Sequence, residues 1–457
     1  MSEDKSYEPV LMKHIPVVPF DPQVFSYASW GESIPMTYTN WREETLSWKE
    51  TCYIHANLSC FPVLTITGPD AVKFVSDISV NGYGNFEVGR CKHMIMCTPS
   101  GHVFDHGLVL RTAQDQVQTY VTPFYVMFRA EQGDYDIDVK MTGDDEDHNF
   151  VFQLAGPRSL EIVENALHED IHDLKFMRFR WGKIAGHDVR ILRMGMGGSL
   201  SYEVHGFGCR EGIDVYNELL RVGKPYGIRK MGVNQYECNH TENGFPQATI
   251  HFPAAATEIP GYLDYLAKFD FYVDDGGVER AGSMADQPLE NYYRNPYELG
   301  WGHMVKFDHE FTGREALEKI AQNHREMVTL VWNHEDIMKV FASFFEKGEE
   351  PYADMPFPVD ISIMGAAGNR YFQDKVLKDG KQVGVSMWRT YTLYYRETIS
   401  LCCIDPDLAQ EGTQVEIVWG DAGSRQLNIR ATVARFPYLD LTPNRDFDME
   451  SIPHYAG

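Results

Sequence analysis

The sequence predicts an α+β protein that ends in a β domain, and three observations carry that prediction. Two segments, "LTITGPDAVKFVSDI" from Leu64 and "FQLAGPRSLEIVENAL" from Phe152, share one pattern: a short apolar strand, Gly-Pro, then apolar residues at helical spacing. Strand-like and helix-like text interleaves to about residue 230, as an α+β domain requires. Beyond about residue 326 strand-turn-strand patterns take over.

Taken in order, the Gly-Pro pairs mark the strand-to-helix corners. Glycine lets the chain turn sharply out of a strand, and proline suits a first helical turn because its missing N–H would be unpaired there anyway. Ala71, Val72, Val75 and Ile78 then form one apolar helix face, and Leu160, Val163 and Leu167 form the other. Either the unit is duplicated or two strand-to-helix junctions resemble each other by chance.

After the alternating stretch "SLSYEVHGFG", the segment "EGIDVYNELLRVG" places Ile213, Tyr216, Leu219 and Leu220 on one helical face. The stretch "NQYECNHTENGFPQ" at 234–247 is too polar for a buried strand, and its Gly-Phe-Pro corner opposes a long helix. It reads as a loop presenting side chains. Thr312 and Glu315 have the spacing of a capping box, which predicts a helix start there. In the tail, "VLKDGKQVGVSM" and "VEIVWGDAGSRQLNIRATVA" read as hairpins of a barrel-like domain. The expected domains are therefore 1–325 and 326–457.

A net charge of −25, from 66 acidic against 41 basic residues, repels phosphate backbones and anionic lipid, so nucleic-acid and membrane partners are disfavoured. A small anionic ligand stays compatible, because a distant field is screened over ~10 Å. Eight cysteines without a CxxC pair read as reduced core thiols of a cytoplasmic protein. The acidic, polar N-terminus and the lack of a long apolar run point the same way. No GxxxxGK[ST] loop or HExxH motif is present, and "GMGG" at 195–198 breaks the GxGxxG register. "GHVFDHG" offers His102, Asp105 and His106 near His93; hydrogen-bonded pocket or surface groups are the preferred reading, and no metal is expected.

The two Gly-Pro units, the "YEVHG" strand, the "ENGFP" corner, "NPYELGWGHMVKFDHEFTGREAL" and the β tail together resemble the glycine-cleavage T-protein (aminomethyltransferase) family over nearly the whole chain. Within it, "NYYRNPYELGWGHMVKFDHEFTGREALEKI" from Asn291 is similar to the tetrahydrofolate-dependent aromatic O-demethylases, which act on vanillate, syringate and methoxybenzoates. The resemblance implies ferredoxin-like subdomains around a folate channel, a C-terminal β-barrel, and tetrahydrofolate as methyl acceptor. The implied reaction moves the methyl group of a methoxylated aromatic acid to N5 of tetrahydrofolate. A demethylase of a small methylated sulfonium or amine, or a folate-binding protein without turnover, are the competing readings. The expected assembly is a monomer or weak homo-oligomer.

The same resemblance assigns site residues. Tyr236 stands where vanillate-type enzymes carry an important tyrosine, and it either supports the departing oxygen or packs in its loop. A phenol of pKa ~10 is close in acidity to the phenol expelled. His240 either relays a proton or serves the loop, and Phe245 either covers a flat ligand or packs. Glu203 matches the pterin-binding glutamate, because a carboxylate accepts both members of the pterin's N–H donor pair. Asp105 matches the carboxylate that the T-protein places near the folate amine, and Asn57, His93 and Thr122 fall at pocket-lining positions. The family's Gln before Gly-Pro is Ala155 here, so Gln153 or a water replaces its hydrogen bond. Cys60 replaces a substrate-pocket histidine, which argues against vanillate itself. Arg389 is either a holder of a substrate carboxylate or a surface arginine.

Overall fold

Gly68 and Gly156 show why the Gly-Pro units fold as the sequence predicts. In the computed structural model their φ angles are +142° and +132°, and a Cβ would lie 2.2 Å from Asp136 O in one case and 2.5 Å from Thr51 O in the other. Only glycine turns the chain there. The strands Leu64–Thr67 and Asn149–Ala155 thus pass directly into the helices Ala71–Asp77 and Ser159–Leu167. The structure describes residues 15–457 apart from 23, 25, 30–32, 144–145, 249, 270–277 and 360–368. The acidic N-terminal stretch "MSEDKSYEPV" lies outside the described residues.

Each Gly-Pro unit belongs to a different sheet. The first sheet runs Phe179–Ile184, His187–Leu192, Ser201–Phe207, Asn149–Ala155, Cys52–His55, Ile228–Lys230, antiparallel except for the last pair. The second runs Cys91–Cys97, Val103–Ala113, Gln116–Tyr120, Leu64–Thr67, Asp138–Met141, all antiparallel. Helices Trp41–Glu50, Ser159–Leu167 and Cys209–Gly223 cover the first sheet through a core containing Trp48, Phe152, Leu160 and Tyr216. On Cys209–Gly223 the buried stripe is Gly212, Val215, Tyr216 and Leu219, while Ile213 and Leu220 lie at its margin.

The tail closes into a six-stranded barrel of Glu326–Trp332, Asn369–Lys378, Lys381–Thr392, Glu397–Ile404, Gln414–Trp419 and Leu427–Ala434. Closure comes from the pairing of Val376 with Ile417 and Leu377 with Glu416. Asp379 and Gly380 both have positive φ, as a two-residue hairpin turn demands. The expected capping box does not form. The helix Arg314–Ile320 follows Gly313 at φ +87° without a side-chain cap, and Thr312 Oγ1 instead accepts from Arg129.

The stretch 234–247 is also corrected: it is helical over Val233–Asn243, and the corner only ends the helix, with Gly244 at φ +65°. Residues 233–242 are all buried, so no apolar stripe distinguishes one face, and several of the polar side chains find partners on different sides of the helix, whereas both carboxyl oxygens of Glu237 and both ring nitrogens of His240 have none. Lys49 Nζ lies 2.6 Å from Glu242 Oε2 with neither side chain exposed, and Trp48 Nε1 donates to the same oxygen at 3.0 Å. Thr45 Oγ1 donates to Gln235 Oε1 at 2.5 Å, and from the barrel Thr390 Oγ1 donates to Cys238 at 2.9 Å. One helix is thereby bolted to both the first sheet's layer and the barrel. Lys49→Met leaves the Glu242 charge buried without a counter-ion, a change worth about 3–5 kcal/mol. Denaturant titration is expected to show a loss of that order, and an unchanged midpoint would contradict the anchoring role.

Candidate active site

The helix Val233–Asn243 brings Tyr236 to the wall of a cavity of about 920 Å³. The Tyr236 ring stacks on His55 (centroids 4.1 Å, planes 8° apart) and meets His240 at 4.2 Å and 60°. His55 Nδ1 faces Met231 O at 3.2 Å, so it carries the proton and fixes that ring. The Tyr236 hydroxyl has only a weak contact, 3.6 Å to Met196 Sδ, which leaves it available to a ligand. Burial, reinforced by Tyr53 and Glu203, pushes its phenol well above the ordinary value. Tyr236 is therefore a neutral hydrogen-bond donor.

Glu203 faces the same cavity and is 3% exposed. Antiparallel register sets Glu203 opposite Gln153, whose Nε2 donates to Glu203 Oε1 at 3.3 Å while its Oε1 accepts from Tyr53 at 2.6 Å. His205, two residues along the strand and hence on the same face, places Nε2 2.7 Å from Glu203 Oε2. Burial lowers the His205 imidazole, so it is a neutral donor. The carboxylate is held in one orientation with its remaining lone pairs turned to the cavity.

A second wall comes from the other sheet. Asp105 accepts from the backbone N–H of His106 (2.8 Å) and of Thr122 (2.7 Å), and burial raises its carboxyl to about 6. His93 Nε2 and His106 Nδ1 are 3.0 Å apart. Because Ala248 N–H donates to His106 Nε2, the His106 proton sits on Nδ1 and is given to His93. His93 then directs its own Nδ1 proton at Met304 Sδ, 3.3 Å away. Burial lowers His93 to about 3 and His106 well below its usual value. Phe245 lies 5.3 Å from the His93 ring, and Trp301 lies 4.6 Å from His106. The part of this wall formed by His93, His106, Phe245 and Trp301 is aromatic and uncharged.

Of the residues singled out in the sequence, Tyr236, Glu203, Phe245, His93, Asp105 and Thr122 line the one cavity. His240, Asn57, Gln153, Cys60 and Arg389 do not. His240 sits behind Tyr236 with both ring nitrogens unpartnered. Gln153 reaches the cavity only through Glu203. Asn57 and Cys60 belong to a 3-10 turn, where Leu58, between them, is the lining residue. Arg389 is not the surface arginine of one reading: it is buried in the barrel, donates to Pro356 O at 2.8 Å and lies over Trp419, and it does not line this cavity. His102, separated from His106, pairs with Glu258 at 2.9 Å. His205, Met196 and Asn444 were missed. The two-residue spacing from Glu203 pointed to His205, whereas nothing local marks Met196 or the C-terminal Asn444 as cavity residues.

Comparison with known proteins agrees with this architecture. The model of the GCVT N-terminal domain family matches residues 22–268. Sesamin methylene transferase of Sinomonas sp. (strain No.22) is 39% identical over 444 residues, covering 94% of this chain and 96% of that protein. Syringate O-demethylase of Sphingobium sp. (strain NBRC 103272 / SYK-6) is 31% identical over 432 residues, covering 89% and 90%. The crystal structure of the glycine cleavage system aminomethyltransferase T from Bartonella henselae superposes with a TM-score of 0.65 at 14% identity, over 93% of this chain and 96% of that one. Paired Gly-Pro units, closed barrel and near-full-length relatives agree, and the chain belongs to the GCVT family.

Proposed function

We propose that the protein transfers the methyl group of a methoxylated aromatic acid to N5 of tetrahydrofolate, releasing the phenol and 5-methyltetrahydrofolate. The observation that carries this reading is the pairing of a fixed, buried carboxylate, Glu203, with a neutral, nearly unpartnered hydroxyl, Tyr236, on one cavity. At about 920 Å³ the cavity stands near the top of the roughly 300–1,000 Å³ range of small-molecule sites, which suits a folate beside a single-ring substrate.

The residues fit a reduced pterin. Glu203 accepts the pterin's paired N–H donors, and Gln153 and His205 keep it aimed. Bound tetrahydrofolate would supply the N5 amine as the nucleophile that takes the methyl carbon as its bond to oxygen breaks, the N5 proton leaving to a base and an equivalent proton reaching the released phenolate from solvent. Tyr236 donates a hydrogen bond to that oxygen as charge develops on it, which is where a fixed donor accelerates most. Its raised pKa makes it a donor that keeps its own proton. Asp105, near 6, is suited to accept the proton given up by the amine. His240 acts on Tyr236, holding the ring from behind, and the aromatic wall of His93, His106 and Phe245 packs a flat ligand.

A second reading is favoured by one observation: the relative that is 39% identical is named a methylene transferase. Transfer of a methylenedioxy carbon uses the same donor and carboxylate but joins the carbon to two folate nitrogens. Incubating purified protein and tetrahydrofolate with methoxybenzoates and methylenedioxybenzenes, then weighing the folate product, separates the two. 5-Methyltetrahydrofolate with an equivalent of phenol supports the first reading, and 5,10-methylenetetrahydrofolate with catechol supports the second. Neither product would leave a folate-binding protein without turnover.

Removing the Tyr236 hydroxyl with Tyr236→Phe is expected to lower kcat by roughly 10²-fold or more with little change in folate affinity, whereas Glu203→Gln should weaken folate binding by roughly 10- to 100-fold. A wild-type kcat in the first, or unchanged binding in the second, would remove the corresponding assignment. For Asp105 the sign follows from an unfolded pKa of ~3.9 and a folded value of about 6. Its contribution to stability is present in full below about pH 4 and lost as pH rises through about 6. Urea unfolding should therefore show the wild type losing stability relative to Asp105→Asn across that window; a constant difference would contradict the burial of this carboxyl.

A further inference from the structure

Outside the cavity, the C-terminal segment returns to the end of the helix Ser159–Leu167 and sets two histidines from distant parts of the chain against one aspartate. His172 is buried, and its Nε2 lies 3.2 Å from Ile452 O. A carbonyl oxygen only accepts, so that nitrogen carries the proton, and Nδ1 of the neutral ring is a lone pair. That lone pair faces Glu164 Oε1 at 2.9 Å and Asp170 Oδ1 at 3.4 Å. The exposed His454 repeats the arrangement, with Nε2 directed at Glu450 Oε2 (3.3 Å) and Nδ1 at Asp170 Oδ2 (2.5 Å). The two rings stack with centroids 3.9 Å and planes 19° apart.

Carboxylate oxygens and bare imidazole nitrogens all accept, so the cluster repels itself until positive charge sits among them. Among the described residues, no lysine or arginine ion-pairs with Glu164, Asp170 or Glu450. Protons on both Nδ1 atoms would set two imidazolium charges face to face, whereas one divalent ion answers both nitrogens and the aspartate together. Ligand atoms of Asp170, His172 and His454 all lie within 4.8 Å of one another. Zinc bonds of about 2.0–2.1 Å in a tetrahedron set the donors about 3.4 Å apart, the spacing His172 Nδ1 and Asp170 Oδ1 already have. His454, exposed near the chain end, has only to withdraw by less than about 1 Å to reach it. Metal-bound histidines hand their other N–H to a carbonyl or carboxylate, the places taken here by Ile452 O and Glu450.

We propose that Asp170, His172 Nδ1 and His454 Nδ1 bind a divalent transition-metal ion of the zinc class, with Glu164 in reach as a fourth ligand. Mixed imidazole and carboxylate donors suit that class. The site is structural: none of its residues lines the cavity, and it fastens segments 280 residues apart in the chain. Its effect reaches the cavity along the tail, because Pro443, Asn444 and Arg445 line the cavity and Asn444 Nδ2 donates to Ser201 O at 2.8 Å. A bound ion secures the segment that carries them, whichever substrate the cavity takes.

The test titrates the chelator-treated full chain at neutral pH with Zn²⁺ by calorimetry and with Co²⁺ by visible absorption. The wild type should take up one equivalent of Zn²⁺ with a micromolar or tighter Kd, and Co²⁺ should show the d–d bands of a low-coordinate nitrogen and oxygen site. His454→Ala should weaken Zn²⁺ by about 100-fold and abolish those bands, and Glu450→Gln, which loses only the outer hydrogen bond, should weaken it by about tenfold. His454 is exposed, so its removal leaves the core intact; Asp170→Asn is an independent variant, and far-UV circular dichroism checks the fold of both. Amide hydrogen exchange at 449–454 should slow when Zn²⁺ binds. No uptake by the wild type, or uptake unchanged in both His454→Ala and Asp170→Asn, would overturn the proposal. Nitrogen NMR that finds both nitrogens of both rings protonated with Zn²⁺ present would assign the cluster to protons and overturn it as well.

Discussion

The buried contact of Lys49 with Glu242 decides where everything else in the site can stand. Both side chains are excluded from solvent, and such a pair persists only with good geometry and additional hydrogen bonds. Trp48 Nε1 and the backbone supply these: Trp48 donates to the carboxylate, and Lys49 Nζ donates to Thr45 O at 3.4 Å. At the other end of the same helix Glu44 accepts the N–H of Gly232 at 2.9 Å. The helix is thus pinned by buried carboxyl groups at both ends, with Tyr236 one turn from its start. Its polar sequence and complete burial are two aspects of one arrangement, since such side chains are tolerated inside where they are paired, as Glu242 is with Lys49, or held neutral by burial, as Glu237 and His240 are.

Electrostatic roles divide along the cavity. The groups beside Tyr236 are neutral: the phenol is held far from ionisation, and the imidazoles of His55 and His240 are depressed by burial. A neutral donor in a dry wall costs little to keep and stabilises charge where it appears during bond breaking. The acidic side chains of the lining are Glu203 and Asp105, each fixed by hydrogen bonds, and Asp308, which stands near the cations Lys92 and Lys306. A hydrogen-bond-donating pterin edge and a flat aromatic ring are complementary to the carboxylate and to the aromatic wall in turn.

Much of this was legible in the sequence. The Gly-Pro corners were readable because only glycine reaches φ near +140° without a clash, and the barrel hairpins because Asp-Gly marks a tight turn. The site helix was not, for a physical reason. Periodicity reports a boundary between core and solvent, and a helix buried on every side has none, so "NQYECNHTEN" carries no stripe to detect. The capping-box spacing misled because Gly313 already supplies the turn and Thr312 serves Arg129. Of the site, residues that act singly could be named from resemblance, whereas Gln153 behind Glu203, and Arg389 turned into the barrel, depend on cross-strand register and side-chain direction. Those properties arise between segments far apart in the chain and leave no local trace.

The central claim is that one cavity holds a reduced pterin on Glu203 in reach of the Tyr236 hydroxyl. A crystal structure of the protein with tetrahydrofolate and a methoxylated benzoate tests it most directly. The account predicts the pterin N–H edge about 3 Å from the Glu203 carboxylate, as charge-assisted hydrogen bonds require, and the ether oxygen at the same range from Tyr236 Oη. A pterin seated elsewhere, or a Tyr236 hydroxyl turned away from both ligands, would contradict it.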